Sequence, residues 1–276
     1  MSEIINTIIG FLCIILYFCA KRFCLADWYV PLSYLPLILI PIITNRDNIG
    51  FNILILLNWN KNIRVSMAYI YRICVNGKYL IVQNSHRKNS YQFVGGKYKY
   101  YEQAISELQR LLMQPDDKLG ENKTRKNDIA FYIPAKNLKR FINWFNSQIN
   151  RDIDCTREFR EELLQNKKTE KPVLDEHLFA DIKFRKVCIV KTPITKSPEY
   201  SGWRCLEYKQ YDVLEPMFTD EQILALSALQ NTEFDYIKWV TKDEIDSLGH
   251  KNGADEKAFS INEHTKWCLN EKYSKY

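Results

Sequence analysis

Two apolar runs without charged side chains occupy the start of the chain. They cover residues 4–20 and 28–45, with a basic pair and one aspartate between them. Seventeen residues of helix extend about 25 Å, close to the hydrocarbon thickness of a bilayer. The second run begins with Trp28 and Tyr29, as an interfacial aromatic belt would. We therefore predict a hairpin of two transmembrane helices, at about residues 4–20 and 28–45.

Two other interpretations of the apolar runs stay open. A cleaved signal peptide begins with basic residues, whereas the first 20 residues contain Glu3 and no Lys or Arg. A pair of buried core helices is also compatible with runs of this length. Arg46, Lys61 and Arg64 follow the second run, against two basic residues between the runs. The positive-inside rule therefore favours a cytoplasmic C-terminal domain by a narrow margin.

Short strands and helices are predicted along the rest of the chain. Residues 46–62 form a juxtamembrane segment, and its apolar run, residues 51–59, is either an interfacial helix or a first strand. Two β-rich runs flank Asn76-Gly77, a pair typical of a tight hairpin turn because both residues need positive φ. The mixture has no regular βαβ alternation, so we predict an α+β or α/β sandwich over residues 63–276. Further strands are expected at 129–133, 184–192, 205–214 and 235–240, and helices at 103–113, 136–149, 219–229 and from Thr241 onward. Thr241 and Glu244 have the spacing of a capping box at the start of the last helix.

Charge and cysteine usage narrow the class of protein only a little. Residues 1–45 contain two basic and two acidic side chains, so the formal charge of +6 belongs to residues 46–276. Mild positive charge suits an anionic ligand, although it is equally common in proteins that bind none. The eight cysteines form no CxxC pair, and the four histidines show no metal-binding spacing. We therefore expect reduced thiols in a cytosol.

Two short motifs carry the candidate chemistry. Gly95-Gly96 follows a short strand, and a glycine pair lets the backbone turn closely and bring its amides near a ligand. Glu158, Glu161 and Glu162 are spaced so that a helix, with Thr156 as a predicted N-cap, places all three carboxylates on one face. Clustered carboxylate oxygens suit a hard cation such as Mg²⁺. A solvated acidic face paired with neighbouring arginines remains the alternative.

Aromatic and basic residues surround the glycine pair. Phe93 and Tyr98 offer faces on which nucleobases stack, at about 1–3 kcal/mol per base. The ammonium group of Lys97 could meet a phosphate. Alternating aromatics on a strand are also typical of packing residues, so a core role for each ring stays open.

The two motifs together resemble the Nudix signature. Gly96, the segment KYKYY and Glu102 match its first half, and residues 157–162 (REFREE) match its second half. The halves are 54 residues apart rather than seven, which indicates an insertion at about residues 103–155 inside the Nudix box. Leu164 stands where the signature ends in glycine. The resemblance covers roughly residues 63–270.

The arrangement of two apolar runs before a Nudix-like domain with a large insertion resembles that of the SMODS-associated Nudix effectors of bacterial CBASS antiphage systems. The resemblance implies a multi-pass protein of the inner membrane whose domain binds a cyclic oligonucleotide and whose helices then disrupt the bilayer. It also implies a homo-oligomer and no DNA or RNA duplex as partner. Phe93, Gly95, Gly96, Lys97 and Tyr98 are then the expected ligand-binding residues.

The alternative function is a membrane-tethered, Mg²⁺-dependent Nudix hydrolase of nucleoside diphosphate-linked substrates. The Nudix resemblance then makes Glu161 and Glu162 metal ligands and Glu158 a ligand or catalytic base. No cofactor is assigned beyond Mg²⁺, which these carboxylates could bind. The split box and Leu164 favour a domain that binds without turnover, because small displacements of catalytic groups weaken catalysis severely.

Overall fold

A computed structural model gives the fold in two compact units, residues 1–59 and 60–276. Each unit is described by itself. The residues that the structure describes are 15, 18, 22, 46–84, 87, 89–116, 127–165, 172–196, 205–232, 234–250, 259–272 and 274–275.

The first unit contains helix α1, Arg46–Leu57. Its 12 residues extend about 18 Å, well short of the roughly 30 Å of a bilayer's hydrocarbon core. Within the described part of the chain, no helix combines the length and apolarity needed to cross a membrane. This finding overturns the predicted transmembrane hairpin and the predicted multi-pass inner-membrane location. Most of residues 4–20 and 28–45 lie outside the described residues.

Residues 51–59 lie mainly within α1, so the interpretation of this run as a first strand is wrong and the helical one holds. The second unit is built from strands and short helices. Its strands are β1 (Asn62–Tyr71), β2 (Cys74–Val75), β3 (Lys78–Gln83), β4 (Ser90–Gln92), β5 (Gly95–Lys97), β6 (Gln114–Pro115), β7 (Ala130–Pro134), β8 (Lys183–Lys191), β9 (Thr195–Lys196), β10 (Leu206–Met217), β11 (Ile237–Val240), β12 (Ser260–Ile261) and β13 (Ser274–Lys275). Its helices are α2 (Ile105–Arg110), α3 (Leu138–Ser147), α4 (Thr156–Phe159), α5 (Glu176–Phe179), α6 (Asp220–Leu229), α7 (Lys242–Asp246) and α8 (Glu263–Leu269).

Strand β1 is the centre of the larger sheet, whose order is β13-β8-β10-β1-β7-β6. It pairs in parallel with β10 along one side, from Ile63 beside Leu206 to Tyr71 beside Leu214. Along the other side it pairs antiparallel first with β7 and then with β5. The inserted segment is therefore part of the larger sheet, because it contributes strand β7.

The smaller sheet has the order β11-β3-β4-β12, with β2 paired to β3. Asn76 and Gly77 join β2 to β3 with φ angles of 51° and 73°, so the predicted hairpin turn is confirmed. The run before that turn is divided, however. Residues 62–71 belong to the larger sheet, and only β2 enters the hairpin.

The core lies between the two sheets. Apolar side chains of the larger sheet, such as Val190 and Val213, pack in one cluster with Ile81 and Val240 of the smaller sheet. Helix α8 closes this cluster with the buried Cys268. Burial of such side chains is the main favourable contribution to folding, at about 1.5–3 kcal/mol each.

Helix caps follow the sequence closely, with one exception. Thr241 and Glu244 form the predicted capping box at α7, in which each side chain accepts a hydrogen bond from the other residue's backbone amide. At α4 the predicted N-cap Thr156 is wrong. Thr156 is the first helical residue, and its amide donates to Oδ1 of Asp154 at 2.8 Å.

Candidate functional site

The glycine pair lies in β5, where side chains have no room. Gly95 pairs with Ile70 and Gly96 with Tyr69 of β1. A Cβ on Gly95 would lie 2.3 Å from the backbone oxygen of Tyr69, and a Cβ on Gly96 would lie 2.1 Å from Cγ of Glu158. The two halves of the split Nudix box are therefore in contact, and a side chain at position 96 would force Glu158, which packs directly on the glycine, to move.

Arg157 connects helix α4, which begins the second half of the box, to strand β5. Its guanidinium donates to Oε1 of Glu158 at 2.5 Å and to the backbone oxygen of Lys97 at 3.1 Å. Its Nε lies 3.8 Å from the carboxylate of Asp152. Arg157 and Glu158 are half-buried, with side chains 26% and 18% exposed. The arginine thus fixes the second half of the box to β5, which carries the first half.

Burial raises the pKa of the Glu158 carboxyl, and Arg157 opposes this shift because it stabilises the charged form. The neighbouring negative charges of Glu161 and Asp128 raise the pKa further. Burial is also the largest cause that raises the pKa of Asp152. The charges of Glu161 and Asp128 thus act on Glu158, and Arg157 is the cation that opposes them there.

The predicted acidic face is altered after Glu158. Residues 160–164 form a π-helical turn, in which the amide of Gln165 donates to the backbone oxygen of Arg160 at 2.8 Å. The wider turn changes the angle between Glu158 and the two glutamates that follow it. Oε2 of Glu162 is buried, and Glu162 and Glu158 both contribute to the raised pKa of the buried Tyr236 hydroxyl.

A divalent cation does not fit this arrangement as it stands. Within the described residues, no group of three or more His, Cys, Asp and Glu side chains is arranged to hold a metal ion. One carboxylate oxygen of Glu158 is already engaged by the Arg157 guanidinium at 2.5 Å. No chemical step through Mg²⁺ follows from this geometry.

The structure places the predicted aromatic ligand contacts in the core. Phe93 and Tyr98 are 1% and 3% exposed. The Tyr98 hydroxyl donates to Oδ2 of Asp212 at 2.9 Å, and its ring packs edge-on against Tyr69 at 5.0 Å between centroids. The guanidinium carbon of Arg151 lies 4.8 Å from the centre of the same ring. These two rings are already occupied by protein neighbours, whereas Gly95, Gly96 and Lys97 lie in the half-buried strand β5.

Sequence reasoning missed the groups that hold the inserted segment in place. The Tyr69 hydroxyl lies 3.4 Å from the Arg157 guanidinium, within reach of its hydrogen bonds. Lys99, just before the insertion, and Asp128, within it, form an ion pair at 2.9 Å. Strand alternation could have indicated that Tyr69 faces the box. Nothing in the sequence indicates which acidic residue Lys99 meets.

Comparison with known proteins agrees with the architecture around the box. A family model described as the SMODS-associated NUDIX domain matches residues 62–269, which is more than half of the chain. No curated protein matches the chain. The matched residues contain both sheets except β13, together with the glycine strand β5 and the RExxEE helix that packs on it. The chain therefore belongs to the SMODS-associated NUDIX family.

Proposed function

We propose that this member of the CBASS-associated effector family binds a cyclic oligonucleotide second messenger through its NUDIX domain and leaves the ligand intact. The observation that carries the proposal is the state of the box. Its two halves meet at Gly96 and Glu158, so the architecture of a nucleotide-handling domain is retained. The carboxylate that would serve as ligand or base is instead bound to Arg157.

This combination favours recognition over turnover. Hydrolysis of a diphosphate needs a bound cation that clamps the phosphates and activates water. The described part of the chain offers no group of carboxylates arranged for that cation. A sensor gains from such a change, because a ligand that is not cleaved keeps the effector in its bound state.

The test is to titrate the full-length protein, with and without Mg²⁺, against cyclic dinucleotides and trinucleotides that contain adenine, guanine or uracil. Calorimetry measures binding, and chromatography of the recovered ligand measures turnover. Nucleoside diphosphate-linked compounds form the comparison set. We expect tight binding of one cyclic compound that is recovered unchanged, with or without Mg²⁺.

The variants Glu161→Gln and Glu162→Gln separate the proposal from the alternative hydrolase. If the protein binds the cyclic ligand without cleaving it, the ligand should be recovered unchanged from both variants, as it is from the wild type. Metal-dependent cleavage that either variant abolishes would establish a hydrolase and overturn the proposal. Failure to bind any cyclic compound would overturn it as well.

A further inference from the structure

A cavity of about 650 Å³ lies along β11, the end strand of the smaller sheet as the structure describes it. Its walls come from β3, β4, β11 and the segment that follows α6. Ligand cavities in proteins have volumes of about 300–1,000 Å³, so this one is large enough for a nucleotide-sized molecule. We call it the β11 cavity. It is separate from the Nudix box, because none of the box residues Gly96, Arg157 and Glu158 lines it.

Two lysines line the β11 cavity, and neither forms an ion pair with another described residue. Lys78 is exposed at the start of β3. Lys238 projects from β11, and its ammonium lies 5.1 Å from the ring centre of Tyr91 and 5.6 Å from that of Phe259. An ammonium held over aromatic rings keeps its charge available to a phosphate, since the rings provide no competing anion.

Aromatic rings stand beside both lysines. Trp239 and Phe259 are half-buried and line the cavity, so part of each ring is accessible to a ligand. The indole Nε1 of Trp239 is buried and has no hydrogen-bond acceptor among the described residues. A base or sugar oxygen of a ligand would satisfy this donor. Stacking on such rings contributes about 1–3 kcal/mol per nucleobase, whichever base is present.

The geometry of β11 places the two lysines and the two aromatic rings in two similar pairs, one on each face of the sheet. Lys238 and Trp239 are neighbours on β11, so their side chains point to opposite faces of the sheet. Trp239 pairs with Leu80, and Lys78 is two residues before Leu80, so Lys78 and Trp239 share one face. Lys238 and Phe259 are together on the other face. Each face of the strand therefore offers one cation and one aromatic ring.

Two acidic residues also line the cavity, and their positions leave the lysines available. Glu244 is engaged in the α7 capping box, where its carboxylate accepts the Thr241 amide at 2.8 Å. Asp235 is exposed, and its backbone oxygen accepts a hydrogen bond from the Tyr91 hydroxyl at 3.2 Å. A carboxylate at the cavity wall can accept a hydrogen bond from the amino group of a nucleobase. A phosphate group offers no such donor.

We propose that the β11 cavity binds two adjacent nucleotide units of the ligand, one on each face of β11, with each phosphate on a lysine and each base on a ring. This inference rests on the proposed second-messenger function, whose repeating base and phosphate units match the repeated lysine and ring. The Nudix box is the less favourable place for phosphates, because the Arg157 guanidinium is already engaged by Glu158 and lies 3.8 Å from Asp152.

The test measures binding of the full-length protein to the same cyclic dinucleotides and trinucleotides, and to 5′-AMP, 5′-GMP and 5′-UMP. The variants are Lys78→Gln and Lys238→Gln. The matched control is Lys139→Gln, an exposed lysine of α3 outside the cavity. Each cavity variant should raise the dissociation constant of the bound cyclic ligand about tenfold, the usual effect of losing one charge-assisted hydrogen bond. The control variant should bind as the wild type does.

The double variant and Trp239→Phe sharpen the result. Because the two lysines lie on opposite faces, their effects should multiply to about a hundredfold. Trp239→Phe keeps a stacking ring and removes the Nε1 donor, so it should weaken binding about threefold, as expected for one neutral hydrogen bond. Circular dichroism and thermal unfolding of each variant show whether the fold is retained.

The outcomes separate the cavity from the proposed function. If the wild type binds a cyclic ligand and both lysine variants bind it like Lys139→Gln, the cavity proposal is wrong and the second-messenger function stands. If no cyclic compound binds but a 5′-mononucleotide does, with dependence on Lys78 and Lys238, the second-messenger function is wrong and the cavity remains a nucleotide site. If no nucleotide binds, both proposals are overturned.

Discussion

Two arginine–glutamate pairs in this domain have the same contact distance and different surroundings. Arg64 contacts Glu207 at 2.5 Å and Asp116 at 2.7 Å, and all three side chains are 4% exposed. Lys209 lies 3.1 Å from the same Glu207, so two cations meet two carboxylates. In the box, Arg157 also contacts its glutamate at 2.5 Å, but these side chains are partly exposed.

The difference lies in charge balance. In the Arg64 cluster each of the two buried carboxylates contacts a cation, which is the condition under which buried charges are tolerated. Around Arg157 the carboxylates of Glu158, Asp152 and Glu161 outnumber the guanidinium groups of Arg157 and Arg151, the second of which also acts on Asp152. An anionic ligand would be repelled there unless a cation came with it. This contrast directs phosphates away from the box and toward the lysines of the β11 cavity.

The largest effect is expected from a substitution that breaks the Arg64 cluster. Arg64→Met leaves Asp116 and Glu207 buried without the guanidinium that joins them, although Lys209 still contacts Glu207, and should lower the free energy of unfolding by about 3–5 kcal/mol. Urea unfolding followed by circular dichroism measures it. The matched control is Arg160→Met, whose contact with Glu176 is 3.6 Å between half-exposed side chains and should contribute at most about 1 kcal/mol. Equal losses in both variants would contradict the contrast.

The next largest effect tests the contact that joins the two halves of the box. Gly96→Ala places a Cβ 2.1 Å from Cγ of Glu158, so it should destabilise the domain by about 1–3 kcal/mol through overpacking. In a Glu158→Ala background the clash disappears, and most of this loss should be recovered. The measurement is a double-mutant cycle by chemical unfolding.

Gly95→Ala is the control for that cycle. Its Cβ would meet the backbone oxygen of Tyr69 at 2.3 Å, and truncation of Glu158 cannot relieve a clash with backbone. Its loss of stability should therefore be the same in both backgrounds. Coupling at Gly95 as strong as at Gly96, or no coupling at either, would show that the box halves do not meet as described.

The sequence predicted local structure well and partners poorly. The Asn76-Gly77 turn and the Thr241 capping box depend on a few neighbouring residues, and both are found. The alternation of β7 indicates a strand, yet its pairing with β1 depends on a chain segment more than 60 residues away. Local periodicity contains no information about that partner.

The same limit explains the burial of two predicted site residues and the error at the start of the chain. A strand pattern shows which residues share a face, and it does not show whether that face meets solvent or core. Phe93 and Tyr98 were therefore expected at the ligand and are buried. Apolar runs predict burial in some environment, and hydropathy alone favoured a bilayer, whereas no helix among the described residues is long and apolar enough to cross one.

The smallest expected effect concerns the pH dependence of the Arg157 region. Burial raises the pKa of Glu158 in the folded protein above its unfolded value, so the protonated form is favoured on folding. The cost of burying its charge is absent at low pH and grows as the pH rises from the unfolded pKa through the folded one. Glu158→Gln cannot ionise, so its melting temperature relative to wild type should become more favourable between pH 4 and pH 7. Because Arg157 opposes the shift, the change should be modest.

Glu176→Gln is the matched control, because the Glu176 side chain is half exposed and water solvates its carboxylate. Scanning calorimetry of the wild type and both variants at each pH measures the difference. A melting-temperature difference for Glu158→Gln that falls as the pH rises would mean that Arg157 outweighs burial. Ionisation of Glu158 would then not destabilise the fold. The box and the Arg64 cluster would differ only in the exposure of their side chains.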